Sequence, residues 1–515
     1  MKTLLVGINA KYIHTNLAIR YLYTYTKDEF DVCFMEFTIK NPVDNIISEI
    51  LQLNPQLIGF SCYIWNIELI KKIIPIIKSY NKNIKILLGG PEVSYDCEYF
   101  FNTIPIDYII VKEGEYSFKA LLNALQNNLP KNNIPQLYYR ESDKIVANNN
   151  EYTIDLNCLK SPYRLEVDKK NLPNRIQYIE SSRGCPFHCS YCLASLEKQV
   201  RYFSIDFIKQ ELLYLMNNGA KTFKFLDRTF NIRKDYALNI FEFIIHNHKS
   251  GCIFQFEISG ELLDEEIITY LNKNAPKNLI RFEIGVQSTN EHTNQLVLRK
   301  QNFAKLKHNI ELIQKGGIID LHLDLIAGLP KENYQSFIKT FNDVFSLFPH
   351  ELQLGFLKML RGTKIRKEAA DYQYHYQEIA PYEVIANEDL SPFELSKIHA
   401  AEEILEKYYN SHRFDQTITY ILKTYYKDNY YTFFETYGLF YEAHFSKQDY
   451  QVHDLCLRLL EYLKHTEIDI NNIESLLIYD YLKLAKTRPK IWYQTKLTKE
   501  ERLALFKDFI NNNPT

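Results

Sequence analysis

The chain has 515 residues, more than a single compact core holds, and roughly two to four domains are expected on size alone. Its 46 % hydrophobic and 24 % charged residues are an ordinary globular balance, and a formal charge of −2 leaves no overall basic field to hold nucleic acid. No run reaches the roughly 18–20 apolar residues of a membrane-crossing helix, and the start MKTLLVGINAKYIHT lacks the small-residue cleavage site of a secretory signal, so a cytoplasmic protein is expected.

Residues 1–140 alternate strand-like and helix-like patterns, the mark of a parallel sheet covered by helices. KTLLVGI is the first strand, followed by LIGFSCYI at 58–65, IKILLGG at 84–90 and DYIIVKEGE at 107–115. Between them, stretches such as NIELIKKIIPIIKSY repeat apolar residues at helical spacing. Each strand runs into a Gly-rich or polar loop. In an open doubly wound sheet such carboxyl-end loops line the crevice where ligands bind. Residues 141–172 weaken to a small hairpin and a linker.

A second βα series is expected over 173–385. NRIQYIESS opens it, and strand candidates follow at 221–227, 252–259, 279–286, 319–328 and 351–360. Helical patterns such as SIDFIKQELLYLMNNG and KENYQSFIKTFNDVFSLF separate them. Six such units make a partial (β/α)6 barrel with its site at the carboxyl ends of the strands. From 386 to 515 the strand signals vanish. SPFELSKIHAAEE carries a helix-start pattern, and the aromatic run from Tyr420 to Phe445 is expected to fill a helical core rather than to stack on a ligand.

Nine cysteines without a regular framework argue against a disulfide-built protein. Six are scattered singly, but SSRGCPFHCSYC places Cys185, Cys189 and Cys192 within eight residues directly after a strand. Short gaps let three thiolates turn onto one centre, and soft thiolates suit iron–sulfur clusters or zinc. Structural zinc wants four protein ligands, for which only His188 lies between the first two cysteines and no second CxxC exists. Three ligands on a four-iron cube instead leave one iron open.

This CxxxCxxC loop at the end of a first barrel strand resembles that of the radical S-adenosylmethionine (SAM) enzymes, and the resemblance covers the six βα units. It implies that Cys185, Cys189 and Cys192 hold a 4Fe-4S cluster whose fourth iron binds SAM. Reduction by a one-electron donor such as flavodoxin or ferredoxin then cleaves SAM to methionine and a 5′-deoxyadenosyl radical. Carried onto the strand ends, the likeness implies SAM contacts from Asp227 in FLDRTFN, from Glu283, Gln287 and Ser288 in FEIGVQS, and from Gly328 in DLIAGLPKE. Glu257 and Glu261 are weaker candidates, because an acidic residue near a strand end is often only a helix cap or solvated rim, and Arg299 reads equally as a partner of the SAM carboxylate or a surface arginine.

A doubly wound domain directly before such a barrel resembles the cobalamin (B12)-binding branch of these enzymes. GFSCYIWN, LLGGPEVS and VKEGEYSF look like that branch's loops around the corrinoid, which implies cobalamin contacts from Ser61, Gly89, Gly90 and Glu115. KYIHTNL departs from the Asp-x-His-x-x-Gly of corrinoid domains that ligate cobalt through histidine, so His14 is expected to be a core or loop residue. The end of the chain resembles a bacterial subgroup with a carboxyl-terminal domain of unknown function. The reaction implied is methyl transfer to an unactivated carbon of a small molecule, lipid or peptide. The alternatives are a radical SAM cyclisation or rearrangement without cobalamin, and a non-enzymatic zinc-binding module.

Overall fold

The computed structural model describes residues 1–142, 144–197 and 199–484, with 498, 500, 501, 503, 504 and 507 beyond them. The chain divides into two compact units, Met1–Leu395 and Ser396–Thr515.

The first unit opens with β1 (Thr3–Asn9), α1 (Leu17–Thr26), β2 (Val32–Thr38), α2 (Val43–Gln52), β3 (Leu57–Ser61) and α3 (Ile67–Tyr80). It continues with β4 (Lys85–Gly89), α4 (Cys97–Thr103), β5 (Tyr108–Ile110), α5 (Glu115–Asn127), β6 (Leu137–Glu141) and β7 (Lys144–Ala147). The sheet order is β2-β1-β3-β4-β5-β6-β7; β1 to β5 run parallel, and the β6/β7 hairpin is antiparallel. The order reverses between β1 and β3, which makes their carboxyl ends the topological switch point. Successive residues of β1 alternate between two cores: Leu4, Val6 and Ile8 pack with α2, α3 and α4, while Leu5 packs with α1 and α5. Burial on both faces is why these strands read as continuous apolar runs.

Strand β2 escapes the sequence reading because Glu36 interrupts it. The carboxylate is neutralised by long-range partners: Arg20 Nη2 at 2.8 Å, Arg175 Nη1 at 3.0 Å and Asn9 Nδ2 at 3.0 Å. Burial works against the charge, yet these partners hold Glu36 down to about 2.

The second series comprises β8 (Ile176–Ile179), β9 (Ser182–Arg183), β10 (Arg201–Tyr202), α6 (Ile205–Asn217), β11 (Thr222–Phe225), α7 (Lys234–Asn247), β12 (Ile253–Ile258) and α8 (Glu265–Asn274). Then come β13 (Ile280–Gln287), α9 (Glu291–Leu296), α10 (Phe303–Gly316), β14 (Asp320–Ala327), α11 (Tyr334–Phe345) and β15 (Glu351–Phe356). Six strands pair in parallel in the order β8-β11-β12-β13-β14-β15, an open part-barrel built from six βα units. One face carries stacked phenylalanines, with Phe223–Phe254 at 4.5 Å and Phe225–Phe256 at 4.4 Å. The other carries the alternate, polar residues. A short helix α12 (Lys364–Lys367) and the hairpin β16 (His375–Tyr376)/β17 (Val384–Ala386) follow.

The chain enters the second unit within α13 (Pro392–Ile404), which runs into a π-helical segment at Leu405–Asn410, followed by α14 (Asp415–Tyr425), α15 (Tyr430–His444), α16 (Val452–Leu463) and α17 (Ile470–Leu484). Ser391 and Glu394 form the reciprocal cap signalled in the sequence, with Ser391 N donating to Glu394 Oε2 at 2.9 Å and Glu394 N to Ser391 Oγ at 3.3 Å. The aromatic run is core: Tyr431, Phe433, Phe434, Tyr437 and Tyr441 are buried. Gly438 allows α15 to approach α13, since a Cβ there would lie 2.2 Å from the Ala400 carbonyl oxygen. The end of the helical region expected over 386–515 lies outside the described residues. Among the described residues, no helix is long and apolar enough to cross a membrane.

Candidate functional site

The cysteine loop leaves β9 and is bracketed by the β9/β10 ribbon, in which Ser182 pairs with Tyr202 and Arg183 with Arg201. Gly184, at φ +94°, makes the exit, and a Cβ there would meet Gln199 O at 2.2 Å, so only glycine fits. Backbone bonds pin the loop: Cys185 N to Glu197 O at 2.9 Å, Ser190 N to Val297 O at 2.9 Å and Cys192 N to Cys189 O at 3.1 Å. Cys185 and Cys189 are buried, Cys192 is half-buried and His188 is exposed. Burial pushes the Cys192 thiol up, Arg228 opposes this, and Cys189 and Cys185 lie close enough to add to it. Among the described residues, no three His, Cys, Asp or Glu side chains converge tightly enough to chelate a single ion.

Asp227 follows β11 and is nearly inaccessible, at 2 % exposure. Its carboxylate accepts from Ser181 N at 3.1 Å, Ser181 Oγ at 2.7 Å and Ser182 Oγ at 2.5 Å. Both oxygens thereby hold the strand that leads into the cysteines. Arg299 is no free surface arginine: its Nη1 lies 3.9 Å from Cys189 Sγ and 3.4 Å from Tyr191 OH, and its Nη2 donates to Gly285 O.

The remaining barrel candidates divide. Gln287, at φ +67°, ends β13 beyond a register shift, and its Oε1 is buried without a partner. On neighbouring β14, opposite Gly285, Asp324 Oδ1 is paired with His322 Nε2 at 3.0 Å. The unpartnered Gln287 Oε1, with the three thiols and Arg299, is what a polar cosubstrate such as SAM would satisfy. Asp324 escaped the sequence reading; the alternation of DLHLDLIA, with His322 and Asp324 on one face, was its available signal.

Glu283 lies in mid-strand, bound to Lys224 Nζ at 2.8 Å and Gln255 Nε2 at 2.6 Å. Ser288 is fully buried and donates to Glu332 Oε1 at 2.5 Å. Gly328, at φ +93°, offers its carbonyl to Tyr374 OH at 2.9 Å. Among the described residues Glu257 makes no hydrogen bond; burial pushes it up to about 7, Arg228 opposing and Glu283 and Asp324 adding. Glu261 caps α10 instead, with Oε2 accepting from Asn302 N at 2.6 Å.

The carboxyl-end loops of the first sheet meet the barrel here. Arg183 Nη2 binds Glu115 Oε1 at 2.7 Å and Glu180 Oε2 at 3.0 Å. Glu115 Oε2 remains buried without a partner. Arg361, after β15, binds Asp96, donates to Tyr382 OH at 3.0 Å and lies over the Tyr99 ring at 4.2 Å. His14 Nδ1 is 2.7 Å from Tyr178 OH, which makes it an interdomain contact residue. Ser61 Oγ already accepts from Asn16 Nδ2 at 2.7 Å. A Cβ at Gly89 would make only an ordinary contact with Ile110 O at 3.6 Å, but one at Gly90, where φ is +108°, would collide with Cys62 O at 2.5 Å.

Family models match three consecutive stretches of the chain. Residues 3–122 match the B12 binding domain, 179–344 the radical SAM superfamily and 370–514 a protein of unknown function, DUF4080. Among relatives, the chain is 28 % identical over 237 residues to an uncharacterized methyltransferase of Pyrococcus horikoshii, covering 44 % of this chain and 51 % of that one. It is 23 % identical over 373 residues to the cobalamin-dependent radical SAM methyltransferase TokK of Streptomyces tokunonensis, covering 68 % and 54 %. The chain spans about half the length of the curated relatives it matches. Its fold is similar to that of the cobalamin-dependent SAM radical enzyme OxsB, solved with aqua-cobalamin and SAM bound, at a TM-score of 0.64 and 17 % identity over 99 % of this chain and 81 % of the other. The radical SAM methyltransferase TsrM of Kitasatospora setae, solved with cobalamin and a 4Fe-4S cluster, superposes at 0.61 with 16 % identity over 72 % and 75 %.

Proposed function

We propose that this chain, a radical SAM enzyme that carries a B12 binding domain, uses a 4Fe-4S cluster, SAM and cobalamin to methylate a carbon of a small-molecule, lipid or peptide substrate. The observation that carries the reading is the Arg183–Glu115 pair at 2.7 Å. It joins the strand two residues before Cys185 to the first helical turn after β5, so the cysteine loop and the first domain's ligand edge border one space.

In this reading Cys185, Cys189 and Cys192 hold the cluster, and bound together the three groups supply one-electron reduction, radical and methyl-transfer chemistry. The chain's own residues position and shield. Asp227 fixes Ser181 and Ser182, and with them the entry to the cysteine loop. Arg299 provides a cation beside Cys189, where a carboxylate would be neutralised. Gln287 Oε1 would accept a hydroxyl proton of SAM, and Glu115 Oε2 would accept from a polar edge of the corrinoid, with Ser61, Gly89 and Gly90 forming the adjoining loops. Glu283 is held on the polar face of the barrel by Lys224 and Gln255, and Ser288 and Gly328 are engaged by Glu332 and Tyr374. A flavodoxin or ferredoxin would supply the electron.

Anaerobic reconstitution followed by iron, sulfide and spin-resonance analysis tests the first half of the reading: a cluster and deoxyadenosine formation are expected, and a protein that assembles no cluster sinks it. Methyl-labelled SAM with added hydroxocobalamin tests the second: bound corrinoid and labelled product are expected. The second reading is a radical SAM reaction without cobalamin. It is favoured by the engagement of Ser61 with Asn16 and by the approach of Cys62 to Gly90, and corrinoid exclusion with intact deoxyadenosine formation would establish it.

A further inference from the structure

The turn after β15 touches two loops of the candidate site at once. At one end, Arg361 is buried against the β4–α4 loop. Its guanidinium binds Asp96, its Nε donates to Tyr382 OH at 3.0 Å, and the same Nε is 3.4 Å from Glu92 Oε1. The Tyr382 hydroxyl donates in turn to Glu92, which is itself buried. Two rings lie against the charge, Tyr99 at 4.2 Å and Tyr382 at 5.2 Å. A Cβ at Gly362 would collide with the Tyr95 ring, so the turn seats against this loop only without a side chain there.

At the other end, Ile365 N donates to Ser190 O at 3.0 Å, between Cys189 and Cys192. Thr363, between the two contacts, is buried, and its hydroxyl donates back to Leu360 O at 2.7 Å. Burying a guanidinium and a carboxylate is costly, and apolar packing would serve stability as well. What the ionic arrangement adds is orientation, because a planar donor fork and a hydroxyl meet two carboxylates of the loop in one geometry.

We propose that Arg361 and Tyr382 are positioning residues for the corrinoid, holding the β4–α4 loop in its binding position from a turn that is itself anchored on the cysteine loop. The inference rests on the proposed function in taking this loop, which begins at Gly90, as a corrinoid contact. A loop already held in place loses little freedom when its ligand arrives, so releasing it weakens the ligand without disturbing the thiols.

Hydroxocobalamin binding to the reconstituted full chain, read by absorbance after ultrafiltration, tests it on Arg361→Gln and on Tyr382→Phe, which removes only the hydroxyl. Arg140→Gln is the control, since Arg140 holds the same helix α4 elsewhere, donating to Phe101 O at 2.7 Å. Arg361→Gln should raise the dissociation constant about tenfold or more and Tyr382→Phe about fivefold. Amide exchange over residues 92–96 should be faster in both, with iron and sulfide content at the wild-type level. Arg140→Gln should leave the constant unchanged. Should Arg361→Gln fail to fold, Tyr382→Phe alone decides. Unchanged affinity, an equal loss in Arg140→Gln, or iron lost together with the corrinoid would each overturn the proposal and leave the proposed function standing. Faster exchange without loss of affinity would overturn it too, because the hold would then be structural only. A wild-type chain that takes up no hydroxocobalamin would sink the cobalamin reading and this inference together, whereas bound corrinoid without deoxyadenosine formation would sink the radical half of the reading alone.

Discussion

The two parallel sheets of the first unit solve the same packing problem differently. β1 is buried at every position, because helices cover both faces of its sheet. β13 and β14 alternate strictly between buried and half-buried residues, because the part-barrel is covered on one face and leaves the other to polar groups. On that face Lys224 meets Glu283, and His322 lies 3.0 Å from Asp324 and 3.1 Å from Glu351. A doubly covered sheet can offer chemistry only at its strand ends, whereas the open one can also offer it from mid-strand.

The sharpest break of this comparison is at the rim. Cys189→Ala should lower deoxyadenosine formation by roughly a thousandfold, equivalent to about 4 kcal/mol in the barrier, with the melting curve of the apoprotein little changed. Next, Phe256→Ala on the covered face should cost about 3–5 kcal/mol in urea unfolding, as expected for a fully buried ring. Lys224→Met on the open face should cost less, about 1–3 kcal/mol, because the pair is partly hydrated, and Glu283→Gln in the same chain should restore most of it.

The smallest effects are pH limbs of opposite sign. Glu36, held down to about 2 against an ordinary 4.5, contributes stability above pH 4.5 that is lost as pH falls towards 2. His322 is raised from 6.5 to about 9 by Asp324 and Glu351 despite burial. Its contribution is complete below pH 6.5 and is lost as pH rises through 9. Glu36→Gln should flatten the acid limb of the melting temperature against pH, and His322→Gln the alkaline limb. If both variants moved the same limb, the two sheets would not be electrostatically independent.

The local signals were legible. The cysteine spacing, the apolar runs of β1, β3 and β4, the alternation of β14 and the Ser391–Glu394 cap each depend on residues within a few positions of one another. Strand β2 was not, since the charge of Glu36 is cancelled by Arg20 and Arg175. Nor was the fate of Ser61 and Ser288, whose hydroxyls are taken by Asn16 and Glu332.

From residue order alone came the two βα series, the helical end and the three-thiol loop, because periodicity and short spacings are properties of neighbours in the chain. Tertiary structure alone decided that Arg183 binds Glu115 and that Arg299 lies beside Cys189. Those outcomes depend on which distant charges burial brings together, and pairing across tens of residues leaves no period to read.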